Sequence, residues 1–282
     1  MKSHITEQKM PIYRELDTFT FRKEKYTIYW HYSIDEDLGE KYTTLELDEL
    51  NVAQVHNQYR EKYRIPFPEV NKLVAKAEQI IAENNKNPWD LLFVDQIFEN
   101  QAPSKFNGYR RPDLERISNM ISFFDSKVKG LYKTKLNKLL FYADFMAYSR
   151  TGFAISGISY RAIQFGPVPS QYQKMYIKLC DDAKLTVEQV EVGNGNYGEL
   201  ITSKDHFNDA LFTKSEIDVL QSVCDTYGKM LTTELVEASH LEKGWLDNQA
   251  AKSYINFQEA AFEMLDRPYP SEHSSPDTAS QV

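Results

Sequence analysis

Lys25-Tyr-Thr-Ile-Tyr-Trp-His-Tyr-Ser-Ile34 decides the class of the fold. Tyr26, Ile28, Trp30, Tyr32 and Ile34 stand at every second position, with Lys25, Thr27, His31 and Ser33 between them. Successive side chains of a strand point to opposite faces, so this alternation predicts a β-strand with one buried face. Phe19 and Phe21 alternate in the same way upstream, and the polar run Arg22-Lys-Glu-Lys25 reads as a turn. The two segments therefore make a hairpin. The period then changes. From Thr44-Leu-Glu-Leu-Asp-Glu-Leu50 onward, Val52, Val55 and Tyr59 follow at three- and four-residue spacing, which predicts a helix. Thr43 or Thr44 is placed to cap it, with acidic residues in the first turn where the helix dipole favours them. Ile65-Pro-Phe-Pro68 ends it, because a residue before proline is pushed out of the α region. Strands followed by helices, rather than regular alternation of the two, predict an α+β protein.

The rest of the chain is read outward from there. Glu69 to Asn84 forms a short charged helix with Leu73, Ala77, Ile80 and Ile81 on one side, and Glu99 to Pro112, with Pro103 and Gly108, reads as a linker. Lys135 to Arg150 places Leu136, Leu139, Leu140, Ala143 and Met146 on one stripe, an amphipathic helix. A β-leaning run from Ile155 to Phe165 closes at Gly166-Pro-Val-Pro169, and Ser170 is placed to cap a helix over 171–180. Leu185–Val192 and Tyr197–Thr202 form a hairpin, and helices follow near Ser215–Tyr227 and Thr232–Trp245. The tail from Arg267 is rich in Pro and Ser and reads as disordered. The expected organisation is a β-hairpin plus helix unit over 1–68, a charged helix and linker over 69–112, a mainly helical domain with a short antiparallel sheet over 113–266, and a tail over 267–282.

Composition narrows the function classes. Of 282 residues, 41% are hydrophobic and 13% aromatic, enough for a packed core. The net charge of −8 disfavours a broad phosphate-binding face, so DNA is an unexpected partner. Cys180 and Cys224 are the two cysteines, too few for a disulfide framework or a four-ligand zinc site, and no metal or cofactor is expected. No apolar run has the length of a membrane span or a signal peptide, which points to the cytoplasm and away from a membrane.

Three blocks in the second half carry more information: Lys135-Leu-Asn-Lys-Leu-Leu-Phe-Tyr-Ala-Asp144, Tyr160-Arg-Ala-Ile-Gln-Phe-Gly-Pro-Val-Pro169 and Ser239-His-Leu-Glu-Lys-Gly-Trp245. In order and spacing they resemble the signature blocks of the Panacea (SocA-like) antitoxin domain, over roughly residues 113 to 265. The stretches beginning at Arg14, Thr43 and Asn57 resemble the leader that often precedes this domain. Related leaders carry a zinc knuckle and a helix-turn-helix. Here no cysteine precedes residue 180, and no helix-turn-helix follows Pro68. The resemblance implies no enzyme but an antitoxin that neutralises a cognate toxin by direct binding, with a cytosolic protease as a second implied partner and phage defence as the context. It also implies a partner surface drawn from the motif residues Tyr142, Asp144, Arg161, Gln164, Phe165, Pro167, Val168, His240 and Trp245. The rival reading is a transcriptional regulator binding DNA through the N-terminal unit, which a gel shift on its own promoter would separate.

Plainer readings stand beside these. Phe165-Gly-Pro-Val-Pro169 reads first as a rigid turn, since Gly supplies backbone freedom and Pro fixes φ. Gly193-Asn-Gly-Asn-Tyr-Gly198 fits G-x-G-x-x-G, but it lies between two strands rather than between strand and helix, so it reads as a hairpin turn. His240-Leu-Glu242 lacks the P-C-x-x-C of zinc deaminases, and His240 with Trp245 reads as packing. Cys180 and Cys224 read as small buried apolar residues. Arg110, Arg111, Arg116, Lys127, Lys129, Lys133 and Lys135 form one basic concentration, either a solvated face or a site for an acidic segment.

Overall fold

The N-terminal hairpin pairs β1 (Ile12–Phe21) with β2 (Glu24–Asp35), and Arg22 and Lys23 make its turn with positive φ of 49° and 70°. The structure, a computed structural model, describes residues 11–35, 39–67, 101–193 and 195–264. The expected helix over 69–84 and the tail from 267 lie outside the described residues. A third strand, β3 (Glu40–Tyr42), pairs with the end of β2. Three residues are too few to show a period, so no alternation announced it.

On β2 the expected buried face is present: Tyr26, Ile28 and Tyr32 are buried. The opposite face is buried too at His31 and Ser33. The reason is tertiary, since the His31 and Tyr29 rings lie 5.0 and 5.2 Å from that of Phe262, near the end of the described chain.

The helix α1 (Leu45–Tyr63) starts at Thr44, whose hydroxyl accepts from the Leu47 amide, and it stops at Arg64 in the left-handed conformation. It runs beside β2 and closes that strand's free edge with side-chain amides. Asn51 bonds both the N–H and the C=O of His31, Gln54 does the same for Tyr29, and Gln58 donates to Thr27 O. Residues 51, 54 and 58 share one helix face, so α1 acts as a substitute strand. Gln54 Oε1 also accepts from Gln258 Nε2 at 2.9 Å.

The larger unit is built around α3 (Lys133–Thr151). Around it lie α2 (Leu114–Lys127), β4 (Tyr160–Ile163), β5 (Gly166–Pro169), α4 (Tyr172–Asp181), β6 (Leu185–Gly193), β7 (Asn196–Ser203), α5 (Lys214–Tyr227), α6 (Thr232–His240), α7 (Lys243–Leu246) and α8 (Phe257–Ala260). Strands β4–β5 and β6–β7 are separate antiparallel pairs, which makes the whole α+β. The stripe read on α3 understates its burial, because every side chain from Lys135 to Ser149 is buried. Phe145 stacks on Phe257 and Tyr142 on Tyr227, each at 3.9 Å between ring centroids. Polar groups are buried along with the apolar ones, Lys138 and Asp144 among them.

Four local expectations are corrected. Ser170 does not cap α4, which starts at Tyr172 with Gln171 before it and no side-chain cap. The run 155–165 is strand only at Tyr160–Ile163. The helix expected over Thr232–Trp245 breaks after His240 and resumes at Lys243. Residues 101–112, which the Pro and Gly content marks as linker, are docked. Tyr109 is buried, its ring 5.7 Å from Phe67 and 6.2 Å from Tyr148, and Gly108 takes φ +59° against Ala154. The glycines 193 and 195 form the tip of the β6–β7 hairpin, as their position between strands requires.

The basic concentration is dispersed. Arg110 and Arg116 converge on the buried Glu216 at 2.7 and 2.6 Å, Lys133 pairs with Glu199, and Lys135 is buried with its Nζ on the carbonyls of Gly228 and Met230. The two halves also meet. Leu50 and Phe67 belong to the same core as α3, Asn57 donates to Gly152 O at 3.0 Å, and Arg14 pairs with Glu263 at 3.2 Å.

Candidate functional site

The three sequence blocks, far apart in the chain, converge on the β4–β5 hairpin. The first contribution is Asp144 of α3. Its carboxylate accepts from the backbone amides of Ile155 and Ser156, from the Ser156 hydroxyl, and from the Tyr160 hydroxyl at 2.7 Å. These bonds fix the irregular stretch that feeds β4. Burial raises the carboxyl pKa, and the bonds from Ser156, Tyr160 and Ile155 oppose the rise.

The turn from β4 to β5 is then held from beneath by three nitrogen donors on three helices. Trp245 Nε1 on α7 donates to Ile163 O at 2.7 Å, and His240 on α6 is hydrogen-bonded to the Gln164 backbone. Lys138 Nζ on α3 donates to Pro167 O at 2.9 Å. His240 and Trp245 stack at 4.0 Å, so the two side chains orient one another. Gly166 passes directly over Lys138 and Ser239 with φ +91°, a conformation and a closeness that a side chain forbids.

Both titratable donors are shifted. Burial pushes the Lys138 ammonium down to about 7. Burial also lowers His240, and the charge of Lys138 lowers it further, while the bond to Gln164 opposes. Lys138 yields the first prediction. Its folded pKa is depressed, so between about pH 7 and the ordinary lysine range near 10.4 the unfolded chain binds the extra proton. Stability therefore rises with pH across that window. Lys138→Met should flatten this rise, and urea unfolding at several pH values would show it. Parallel curves for both proteins would contradict it.

The nine motif residues sort by position. Tyr142, Asp144, Pro167 and Val168 are buried, so they shape the hairpin from beneath instead of forming its outer surface. His240 and Trp245 are half-buried, each with a ring nitrogen engaged with the turn. Arg161, Gln164 and Phe165 are exposed, with Phe165 at 61%. Arg161 packs its guanidinium over the Tyr254 ring at 5.1 Å, and its Nε donates to Lys252 O.

Sequence reasoning missed the exposed Leu241 and Leu246, at 63% and 48%, which follow His240 and Trp245 in the chain. Lys138 and Ser239 also went unmarked. The signal for Lys138 was a lysine directly before the apolar run Leu139 to Ala143. The site offers a held turn with an apolar tip. Among the described residues, no group of three His, Cys, Asp or Glu side chains could hold a metal ion, and no helix is long and apolar enough to cross a membrane.

Residues 136–246 match the family model described as antitoxin SocA-like, Panacea domain. That span holds the three helices that anchor the turn and the hairpin itself. No curated protein and no solved structure matches the chain.

Proposed function

Since the chain carries a SocA-like Panacea domain over residues 136–246, we propose that it is an antitoxin that binds a cognate toxin protein and covers the toxin's working surface. The observation that supports this reading is the exposure of Phe165 on a turn pinned by Lys138, His240 and Trp245. A rigid, exposed aromatic on the same hairpin as an exposed arginine has the composition of an interface, and pre-organisation reduces the entropy lost on binding. Occlusion needs surface, not reacting groups, and Arg161, Gln164 and Phe165 supply it. The buried motif residues take a supporting role. The setting is the cytoplasm, and handing the bound toxin to a protease is a further role of the same surface.

The experiment is co-expression with a small gene encoded beside this one, which on this reading should be toxic alone and harmless in the presence of this chain. Phe165→Ala should leave the unfolding midpoint unchanged and weaken toxin binding by about 2 kcal/mol, roughly 30-fold. Arg161→Glu should likewise keep the midpoint and weaken binding, because Arg161 lies at the surface. If both variants bind and rescue like the parent, the toxin docks elsewhere. If the neighbouring gene is harmless and no toxin is bound, the antitoxin reading falls.

A further inference from the structure

The N-terminal sheet has two kinds of edge. The edge of β2 beyond β3 is blocked by the amides of Asn51, Gln54 and Gln58. The edge of β1 pairs with nothing among the described residues. The register fixes which groups point outward. Tyr29 and His31 turn both N–H and C=O toward α1, away from β1. In an antiparallel pair, residues opposite such positions are non-hydrogen-bonded as well and turn their own groups the other way. Their partners are Leu16 and Arg14. The N–H and C=O of Arg14 and Leu16 therefore point out from the open edge. Thr18, opposite Thr27, follows the same pattern, and its amide is covered by Asp17 Oδ1 at 2.6 Å.

Side chains along this edge select what can pair there. Glu15, Leu16, Asp17 and Thr18 are exposed, Leu16 at 63%. Glu15 and Asp17 lie on one face of the strand, with Leu16 on the other. A second copy of β1 is a poor fit. In antiparallel pairing centred on Leu16, Glu15 stands opposite Asp17 of the copy. Centred on Glu15 or on Asp17, that carboxylate stands opposite itself. Like charges directly across a ladder are destabilising, and inward charge on an edge is a common guard against self-pairing. Glu15 is partly neutralised by Lys41 at 2.6 Å, whereas Asp17 has no ion pair among the described residues.

We propose that β1 is a docking edge for an extended basic segment of a partner protein, which adds to the sheet as a strand beside it. The segment carries Lys or Arg at two positions two apart, facing Glu15 and Asp17, with an apolar residue between them facing Leu16. Main-chain bonds to Arg14 and Leu16 supply affinity, and the two carboxylates supply choice. This inference stands apart from the antitoxin reading, which rests on the β4–β5 turn.

The test uses the full chain and three blocked seven-residue peptides: one alternating Lys and Val, one alternating Glu and Val, and the Lys–Val peptide with a central proline. Amide exchange is followed residue by residue. In the free chain the amides of Arg14 and Leu16 should exchange freely, while those of Tyr29 and His31 are slow. Saturating Lys–Val peptide should slow Arg14 and Leu16 by at least about tenfold. The proline peptide should not, since it lacks a ladder donor. Asp17→Lys should abolish the preference for the Lys peptide over the Glu peptide, a change of about fivefold in relative affinity, because Glu15 and the new lysine then offset one another. Equal effects of the Lys and Glu peptides, or no slowing by either, overturn the proposal. So do Arg14 and Leu16 amides already slow in the free monomer, which would mean the chain covers its own edge. A concentration-dependent dimer abolished by Leu16→Pro, which removes an outward ladder donor, would make the occupant a second copy and overturn it too.

Discussion

Gly166→Val should destabilise the protein by about 3 kcal/mol or more, summing backbone strain at positive φ with overpacking. At φ +91° a β-branched residue is strained in any surroundings, and here the space is also taken. A Cβ on Gly166 would stand 2.8 Å from Lys138 Cε and 2.9 Å from Lys138 Nζ, and closer still to Ser239 Oγ. None of these atoms is free to retreat. Lys138 and Ser239 are fully buried, and Lys138 is tied to Pro167 O. Gly193→Val is the control. It has φ +107° but nothing within 4 Å of a new Cβ, so it carries strain alone and should cost about 1–2 kcal/mol. Urea unfolding of both variants measures the difference. Equal losses would mean that the turn is not seated on α3 and α6 as described. On the proposed antitoxin reading, any Gly166→Val protein that remains folded should also bind the toxin less tightly, because the turn carrying Phe165 is displaced.

Asp144→Ala is expected to cost about 3–5 kcal/mol, since each buried donor left unpaired carries a penalty of about 1–3 kcal/mol. The loss has a specific origin. Two backbone amides, at Ile155 and Ser156, and the Tyr160 hydroxyl would be left buried without an acceptor. Asp144→Asn should cost far less, since its carbonyl oxygen still reaches both amides and its NH2 can donate to the two hydroxyl oxygens. Chemical denaturation of the pair distinguishes a hydrogen-bonding role from simple filling of space. If Asn is as damaging as Ala, the carboxylate charge itself matters and the account needs a cation near Asp144. The same two proteins report on function, because residues 155–160 lead straight into the strand that bears Arg161.

Much of the fold was legible where side chains keep a single period. The alternation from Tyr26 to Ile34, the polar turn before it and the Thr44 cap each correspond to what the structure holds. The α1 face was not legible. Asn51, Gln54 and Gln58 are polar residues at helical spacing, which ordinarily marks a solvent face, yet they bond the backbone of β2. Lys138 and Asp144 misled in the same way, since charge on a helix normally points to water. What buries them is the β4–β5 hairpin, with its anchors at His240 and Trp245. That proximity belongs to the tertiary fold, and local pattern does not encode it. The motif blocks converge on one hairpin, but they do not show which of its residues face in and which face out. That division follows from alternation along β4, where Tyr160 and Ala162 are buried and Arg161 is exposed.

The bond between Gln54 and Gln258 joins positions 204 residues apart, and Tyr29–Phe262 and Arg14–Glu263 lie beside it. The first strands of the chain therefore wait on nearly the last residues described. At a synthesis rate of about 5–20 residues per second, the ribosome needs roughly 10–40 s to make the stretch between them. During that interval β1 and β2 exist without Phe262 over His31 and without the clamp on Gln54. The N-terminal hairpin therefore lacks these tertiary contacts until residues 258–263 have been made.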